Sequence, residues 1–254
     1  MQEFVTGDGL AARCRHVFDG TLQTHPEREE DWWFCKLDQL DAFMATAAPR
    51  RRFVLVTHNS DYPVDVRYRR LLRQWRIRTW FAANVALDHR KLRPLPLGIA
   101  NAHWEHGDPE PLRAAQATSD RKTALIDVSF SLETNAALRR YCLEQTGLEP
   151  APRVPPPQYL LRLASAYFCL SPSGYGIDTH RTWEALYVRT IPIVTRSALT
   201  DEYRELPWIV LDDWSEFRSL DLSPTLYERM MGDWDPASVS LDALVARMRR
   251  RVRR

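Results

Sequence analysis

The sequence predicts an α/β protein, and three observations carry the prediction. Short apolar runs alternate with amphipathic, helix-like runs along most of the chain. Residues 167–194 read as strand, glycine loop, helix and strand, a βαβ unit. Hydrophobic residues make up 44% of 254 positions, enough for a packed core in one large or two small domains.

In the first half, Arg15–Phe18 reads as a short strand within a weakly patterned start, and Thr24–Asp31 as a polar turn. Asp31–Ala48 reads as a helix, because Trp33, Leu37, Leu40 and Phe43 or Met44 recur at helical spacing. Phe53–Thr57 is a continuous apolar run, expected to be a buried strand, and it leads into His58-Asn59-Ser60-Asp61-Tyr62-Pro63. Arg67–Trp75 reads as a basic amphipathic helix, and Thr79–Val85 contains an aromatic strand ending at Asn84. Pro94 and Pro96 make Leu92–Ile99 extended, on the way to a segment holding Asn101, His103, Glu105 and His106. Asp108–Asp120 is polar, contains Pro109 and Pro111, and reads as a linker.

Beyond it the pattern restarts. Lys122–Val128 is a strand, and Glu133–Thr146 is a helix with Leu138, Tyr141 and Cys142 inward and Gly147 as its stop. Pro155–Pro157 starts a helix over Gln158–Ser165. After the central unit come a short helix near Thr200–Leu206, a strand at Trp208–Leu211, and helices near Trp214, Leu226 and Leu241. These restarts divide the chain into residues 1–115, 116–235 and a basic C-terminal helix over 236–254. The first two are expected to be compact Rossmann-like domains, with the terminal helix packing across them.

The central stretch carries the chemistry. In an open α/β sheet ligands bind where loops leave the C-terminal ends of strands, and Ser171-Pro172-Ser173-Gly174-Tyr175-Gly176 leaves such an end. Asp178 reads as an N-cap, which puts His180 and Arg181 in the first helical turn. A cation is disfavoured there by the helix dipole unless an anion sits beside it. Arg181, the helix N-terminus and the backbone of Gly174–Gly176 therefore suit a phosphate. Glu184 suits ribose hydroxyls, and the alternative is an ordinary helical ion pair of Arg181 with Glu184. Ser131 and Asn135, after the first strand of the second half, are candidates to help hold a diphosphate. His58 and Asp61 leave the end of the Phe53–Thr57 strand, where a base would face a cleft; as ordinary turn formers they would have no such role.

Gly-Ile-Asp-Thr-His-Arg-Thr-Trp-Glu-Ala-Leu at 176–186, followed by Ile-Pro-Ile-Val at 191–194, resembles the donor-binding signature of exostosin-like glycosyltransferases. The His-Asn-Ser-Asp run, Asn84 and the Pro-Leu-Gly-Ile-Ala-Asn segment extend the resemblance over about residues 53–215. It implies the GT-B architecture, two Rossmann-like domains facing across a cleft, and transfer of a sugar from a nucleotide-sugar donor, UDP favoured, to a glycan or other hydroxyl acceptor. On that reading Arg181, Glu184, Gly174, Tyr175, Gly176, Ser171, His180, Ser131 and Asn135 bind the donor. Asn59, Asn84, Asn101 and His106 lie on the acceptor side, and inverting transfer would use Asp61 as base, with His58 the second candidate. One departure is Arg189, where the family usually has a helix-ending glycine. A noncatalytic nucleotide- or phosphosugar-binding protein is the alternative.

Composition narrows the partners. A net charge of +2 gives no global field pointing to nucleic acid, although the run Arg247–Arg254 holds six arginines and suits weak contact with an anionic membrane. Four widely spaced cysteines without a CxxC suit reduced core thiols and a cytoplasmic location. No apolar run approaches membrane-spanning length, and no signal sequence is evident. His103, Glu105 and His106 lack helical zinc spacing, and Asp233-Trp234-Asp235 next to Pro236 reads as a turn, so no metal or other cofactor is expected.

Overall fold

In the computed structural model, which describes residues 3–28 and 30–253, the chain folds around two β-sheets. The first is six-stranded: β1 (Cys14–Asp19), β2 (Thr21–Thr24), β3 (Glu30–Lys36), β4 (Phe53–His58), β5 (Ile77–Ala82) and β6 (Leu92–Pro94). Its order is β2-β1-β3-β4-β5-β6; β1 and β2 form an antiparallel hairpin at one edge and every other pairing is parallel. The second sheet is four-stranded and parallel: β7 (Ala124–Asp127), β8 (Ala166–Leu170), β9 (Ile191–Thr195) and β10 (Ile209–Leu211), in the order β10-β9-β8-β7. The protein is thus α/β, with an arrangement compatible with two Rossmann-like units.

The helices are α1 (Gly7–Arg13), α2 (Leu40–Thr46), α3 (Arg69–Leu72), α4 (Glu110–Gln116), α5 (Ala136–Thr146), α6 (Pro156–Ala164), α7 (His180–Tyr187), α8 (Ala198–Glu202), α9 (Pro224–Met231) and α10 (Leu241–Arg253). Three apolar clusters fill the interior. One, built on Phe18, Trp33, Phe43, Leu55 and Trp80, covers the face of the first sheet that carries α2. Another, built on Phe168, Ile191, Ile193, Trp214 and Tyr227, lies on the second sheet. The third joins the two, bringing Trp32, Val54 and Phe81 of the first sheet into one core with Cys169, Trp183 and Tyr187 of the second half. Tyr187 ties it further: its hydroxyl accepts from Val5 N (3.0 Å) and donates to Val239 O (2.9 Å).

Several expectations need correction. Residues 31–36 are not helical but lie in β3, between β1 and β4, with Trp32, Trp33, Phe34 and Cys35 all buried. A strand covered on both faces reads as a continuous apolar run, and here Trp33 happened to fall in helical phase with Leu37 and Leu40. Of the turn expected at Thr24–Asp31, residues 25–28 remain, since Thr24 belongs to β2 and Glu30 and Asp31 begin β3. The Arg67–Trp75 helix shrinks to a 3-10 turn and the single turn of α3, leaving Trp75 exposed. The expected linker contains α4, whose Leu112 and Ala115 are buried in the shared core. On α5 the buried residues are Arg139, Cys142 and Thr146, while Tyr141 points outward and its hydroxyl donates to Asp213 (2.6 Å).

Arg189 accounts for its own departure from glycine. It takes a left-handed φ of 55° just past α7, with Thr190 N donating to Ala185 O (2.8 Å) and Arg189 N to Leu186 O (3.0 Å). That is a Schellman ending, normally a glycine position. Its guanidinium donates to Trp234 O and Gly232 O, interactions glycine could not make.

α10 lies across both halves. Leu241, Leu244, Val245 and Met248 are buried in the shared core. Arg247 and Arg251 pair with Glu202 of α8, Arg247 also with Glu205, and Arg249 pairs with Glu30 of β3. α10 is therefore docked as expected, and three arginines of its run, Arg247, Arg249 and Arg251, are paired with carboxylates; Arg254 lies outside the described residues. All four cysteines are buried and unpaired, and burial pushes the thiols of Cys142 and Cys169 up to about 12. Among the described residues no helix is long and apolar enough to cross a membrane.

Candidate functional site

The loops that leave the C-terminal ends of the two sheets meet, and Asn84 is where they touch. It follows β5 with a left-handed φ of 54°. Its Nδ2 donates to Ser60 O (3.2 Å) in the loop after β4, and its Oδ1 accepts from Asp178 N (3.1 Å) beyond β8. Gly176 packs on the same amide: a Cβ there would stand 2.7 Å from Asn84 Nδ2 and Oδ1. Only a residue without a side chain lets these loops approach so closely.

Asp178 completes the contact. The expected N-cap position belongs to Thr179, which supplies no capping side chain, whereas Asp178 is buried. Its Oδ2 accepts from Leu97 N (2.7 Å) of the first half and Trp183 Nε1 (2.6 Å) of the second, and its Oδ1 from Thr179 N (2.8 Å). Burial pushes its pKa up to about 6 despite these donors.

A second polar network lies beside it, where α1 begins against the loop after β4. Asn59, with φ 56°, donates to Asp8 Oδ1 (3.0 Å) and accepts from Asn101 Nδ2 (3.1 Å), and Asn101 Oδ1 accepts from Asp8 N (2.9 Å). Gly7 permits the approach, since a Cβ there would sit 1.6 Å from Asn59 Oδ1. His58 is not cleft-facing as expected. It is 2% exposed, its Nε2 donates to Pro96 O (3.1 Å), and its Nδ1 accepts from Asn59 N (2.8 Å). Burial lowers its pKa, so the ring is a neutral brace for Asn59. Asp61 is exposed and makes no hydrogen bond or ion pair among the described residues. His180 donates from Nδ1 to Gly98 O (2.8 Å), and the ring of the exposed His106 lies 6.2 Å from it.

An arginine-rich cradle forms at the ends of β7 and β8. Arg181 neither pairs with Glu184 nor stands free: its Nη1 donates to Asp127 Oδ2 (3.0 Å), and its guanidinium covers the Tyr159 ring at 5.0 Å. Glu184 instead accepts from the Tyr159 hydroxyl (2.7 Å). Asp127 is also approached by Arg162 (3.3 Å) and by the Ser129 hydroxyl (2.6 Å). Arg139 lies over Phe130 at 5.6 Å and donates to Ser173 O (3.1 Å) and Ser131 O, which fixes the loop after β8 to the loop after β7. Asn135, at φ 84°, donates to Gly174 O (3.1 Å), and a Cβ on Gly174 would meet Arg139 Nη2 at 3.0 Å. Arg139, Arg162 and Arg181 against Asp127 and Glu184 leave an excess of positive charge.

Not every expected residue reaches the site's surface. Ser171 is buried, with its hydroxyl held by Thr179 (3.1 Å) and Thr182 (2.8 Å), so it fixes the strand end internally. Ser131 is exposed, its hydroxyl accepting from Glu133 N (3.1 Å). Arg181 has a side chain 10% exposed. Residue-by-residue reading missed Asp127, Tyr159 and the role of Asp178; the available signal for Asp127 was a lone acid at the end of an apolar strand. It also passed over two aromatics that stand out on these loops with Tyr175 (70% exposed): Tyr62 (61%) and Trp104 (57%). Asp235 accepts from Ala237 N (2.8 Å) as the cap of a 3-10 turn. Among the described residues no group of three or more His, Cys, Asp or Glu is placed to hold a metal ion. No family model matches the chain, and no curated protein matches it in sequence.

Proposed function

We propose that this chain is a nucleotide-sugar-dependent glycosyltransferase of GT-B type, with an acceptor side in residues 1–115 and a donor side in residues 116–235. The observation that carries the reading is the meeting of strand-end loops from both sheets at Asn84, Gly176 and Asp178, directly beside the arginine cradle. The donor diphosphate would lie along the Gly174–Gly176 backbone at the start of α7, with Arg181 and Arg139 offsetting its charge. Glu184 would accept from the ribose, as it now accepts from Tyr159. Transfer would be inverting and metal-independent: Asp61 takes the acceptor hydroxyl proton as that oxygen attacks the sugar C1, and the nucleoside diphosphate leaves. His58 acts by holding Asn59. The exposed His106, with Tyr62, Trp104 and Tyr175, would face the acceptor, on loops that the amides of Asn59, Asn84 and Asn101 hold in place. UDP is the favoured nucleotide, from the resemblance alone.

A noncatalytic nucleotide- or phosphosugar-binding role is the second reading, favoured by the Arg181–Asp127 pair, which already satisfies the cation expected to meet phosphate. A thermal-shift screen of nucleotide sugars followed by a donor-hydrolysis assay separates the two. Tyr175→Ala and Asp61→Asn are the variants of choice, because both side chains are exposed and neither makes a side-chain hydrogen bond among the described residues. Stabilisation by one nucleotide, weakened in Tyr175→Ala, with turnover lost in Asp61→Asn, supports the transferase. Stabilisation without turnover supports the binding protein, and no stabilisation by any nucleotide removes both readings.

A further inference from the structure

A cavity of about 380 Å³ lies beneath α10, where the two halves meet. Its lining is mainly apolar, with Trp183, Tyr203, Leu206, Trp234 and Leu244 from the second half and α10, and Pro96 from the segment after β6. α10 turns positions 243, 246, 247 and 250 toward it, one helical face at spacings of three and four. Alanines at 243 and 246 leave the room that longer side chains would fill.

The charges at its mouth are unequal in their commitments. Arg247 is spent on Glu202 and Glu205 and lies 4.2 Å from the centre of the Tyr203 ring. Arg250 lines the same mouth, is exposed, and makes no hydrogen bond or ion pair among the described residues. A half-open, mainly apolar pocket with an uncommitted cation in its exposed lining suits a molecule with matching halves.

We propose that this cavity binds an amphipathic monoanion, with an aliphatic body among Trp183, Trp234 and Leu244 and a carboxylate or phosphate head against Arg250. An apolar cavity of about 150 Å³ holds benzene; this pocket, about two and a half times as large, has room for a chain of roughly ten carbons together with its head group. Water gains few hydrogen bonds from such walls, and its displacement by an alkyl body is favourable. A cationic amphiphile would meet Arg250 unfavourably, and a neutral one would ignore it. This site does not depend on glycosyl transfer, since the residues invoked above for donor and acceptor are not among those lining it.

Calorimetric titration with decanoate tests it, with decanol as the uncharged control. Saturable binding of decanoate is expected, abolished by Ala246→Trp and weakened about tenfold by Arg250→Gln, with decanol insensitive to Arg250→Gln. Ala243→Leu, a smaller intrusion, serves if Ala246→Trp does not fold, as judged by circular dichroism. The proposal is overturned if decanoate does not bind saturably, if binding survives filling of the cavity, or if decanoate loses nothing on Arg250→Gln. Cosedimentation with vesicles of phosphatidylcholine and phosphatidylglycerol in about equal parts, competed by decanoate, would identify the source as a membrane lipid. Decanoate binding without cosedimentation would identify a free amphiphile.

Discussion

Asp178 sits where burial and hydrogen bonding pull in opposite directions, and the pH dependence of stability tells which prevails. Its carboxyl is raised from an ordinary 3.8 to about 6 because the charged form is removed from water. Below about pH 4 the group is protonated in both states, and its contribution to stability is fully present. Between about pH 4 and pH 6 the unfolded chain loses this proton while the folded protein keeps it, so stability falls as pH rises. Each pH unit of the gap is worth about 1.4 kcal/mol, which makes the loss about 3 kcal/mol by pH 7. Other carboxylates titrate over the same range, so the measurement is a difference. Urea unfolding of wild type and Asp178→Asn at pH 4 and pH 7 should show the wild type losing about 3 kcal/mol relative to the variant. Asn cannot titrate, and whatever its amide costs against the Thr179 N–H is the same at both pH values. A flat difference would refute the reasoning. A difference that moves in favour of wild type as pH rises would show that the donors Leu97 N, Thr179 N and Trp183 Nε1 outweigh burial and hold the carboxylate ionised.

Three other substitutions probe the neighbouring contacts. Asn84→Ala removes hydrogen bonds to Ser60 O and from Asp178 N and keeps a left-handed backbone, so it should cost about 2–3 kcal/mol in urea unfolding, with Asn84→Gly recovering about 1 kcal/mol of that. Arg181→Ala leaves buried Asp127 with Arg162 and Ser129 and should cost about 3 kcal/mol; Arg181→Ala/Asp127→Ala should be less damaging than the sum of its parts. Arg189→Gly relieves the left-handed backbone but loses the guanidinium contacts to Gly232 and Trp234, so its stability should fall within about 1 kcal/mol of wild type in the same assay.

What could be read from the chain follows from the range over which each signal acts. β4 and β8 were legible because a parallel strand buried on both faces needs no partner in sequence to declare itself: every residue from Phe53 to Thr57 is buried, as is nearly all of β8. The same property hid β3, since its Trp-Trp-Phe-Cys run joined the helical phase of the residues after it. α7 was legible because its apolar positions, the glycine loop before it and the Ile-Pro-Ile-Val strand after it are all local. The chemistry around α7 was not. Whether Arg181 is a free cation or half of an ion pair depends on Asp127, which lies 54 residues away in sequence and 3.0 Å away in space. Asp178 looked like a cap because caps are local, yet two of its three donors come from a helical turn later and from Leu97, 81 residues away. The asparagines Asn59, Asn84 and Asn135 belong to the same class. Each carries a left-handed backbone, and each amide bonds across to another segment: Asp8 at the start of α1 for Asn59, Ser60 O and Asp178 N for Asn84, Gly174 O for Asn135. A left-handed asparagine is tolerated in many turns. Here Asn84 joins the strand-end loops of the two sheets, Asn59 and Asn135 each fix a neighbouring loop within one half, and Gly7 and Gly176 are cut back to admit two of these amides, so the left-handed positions gather at the strand ends that open α/β sheets use for ligands.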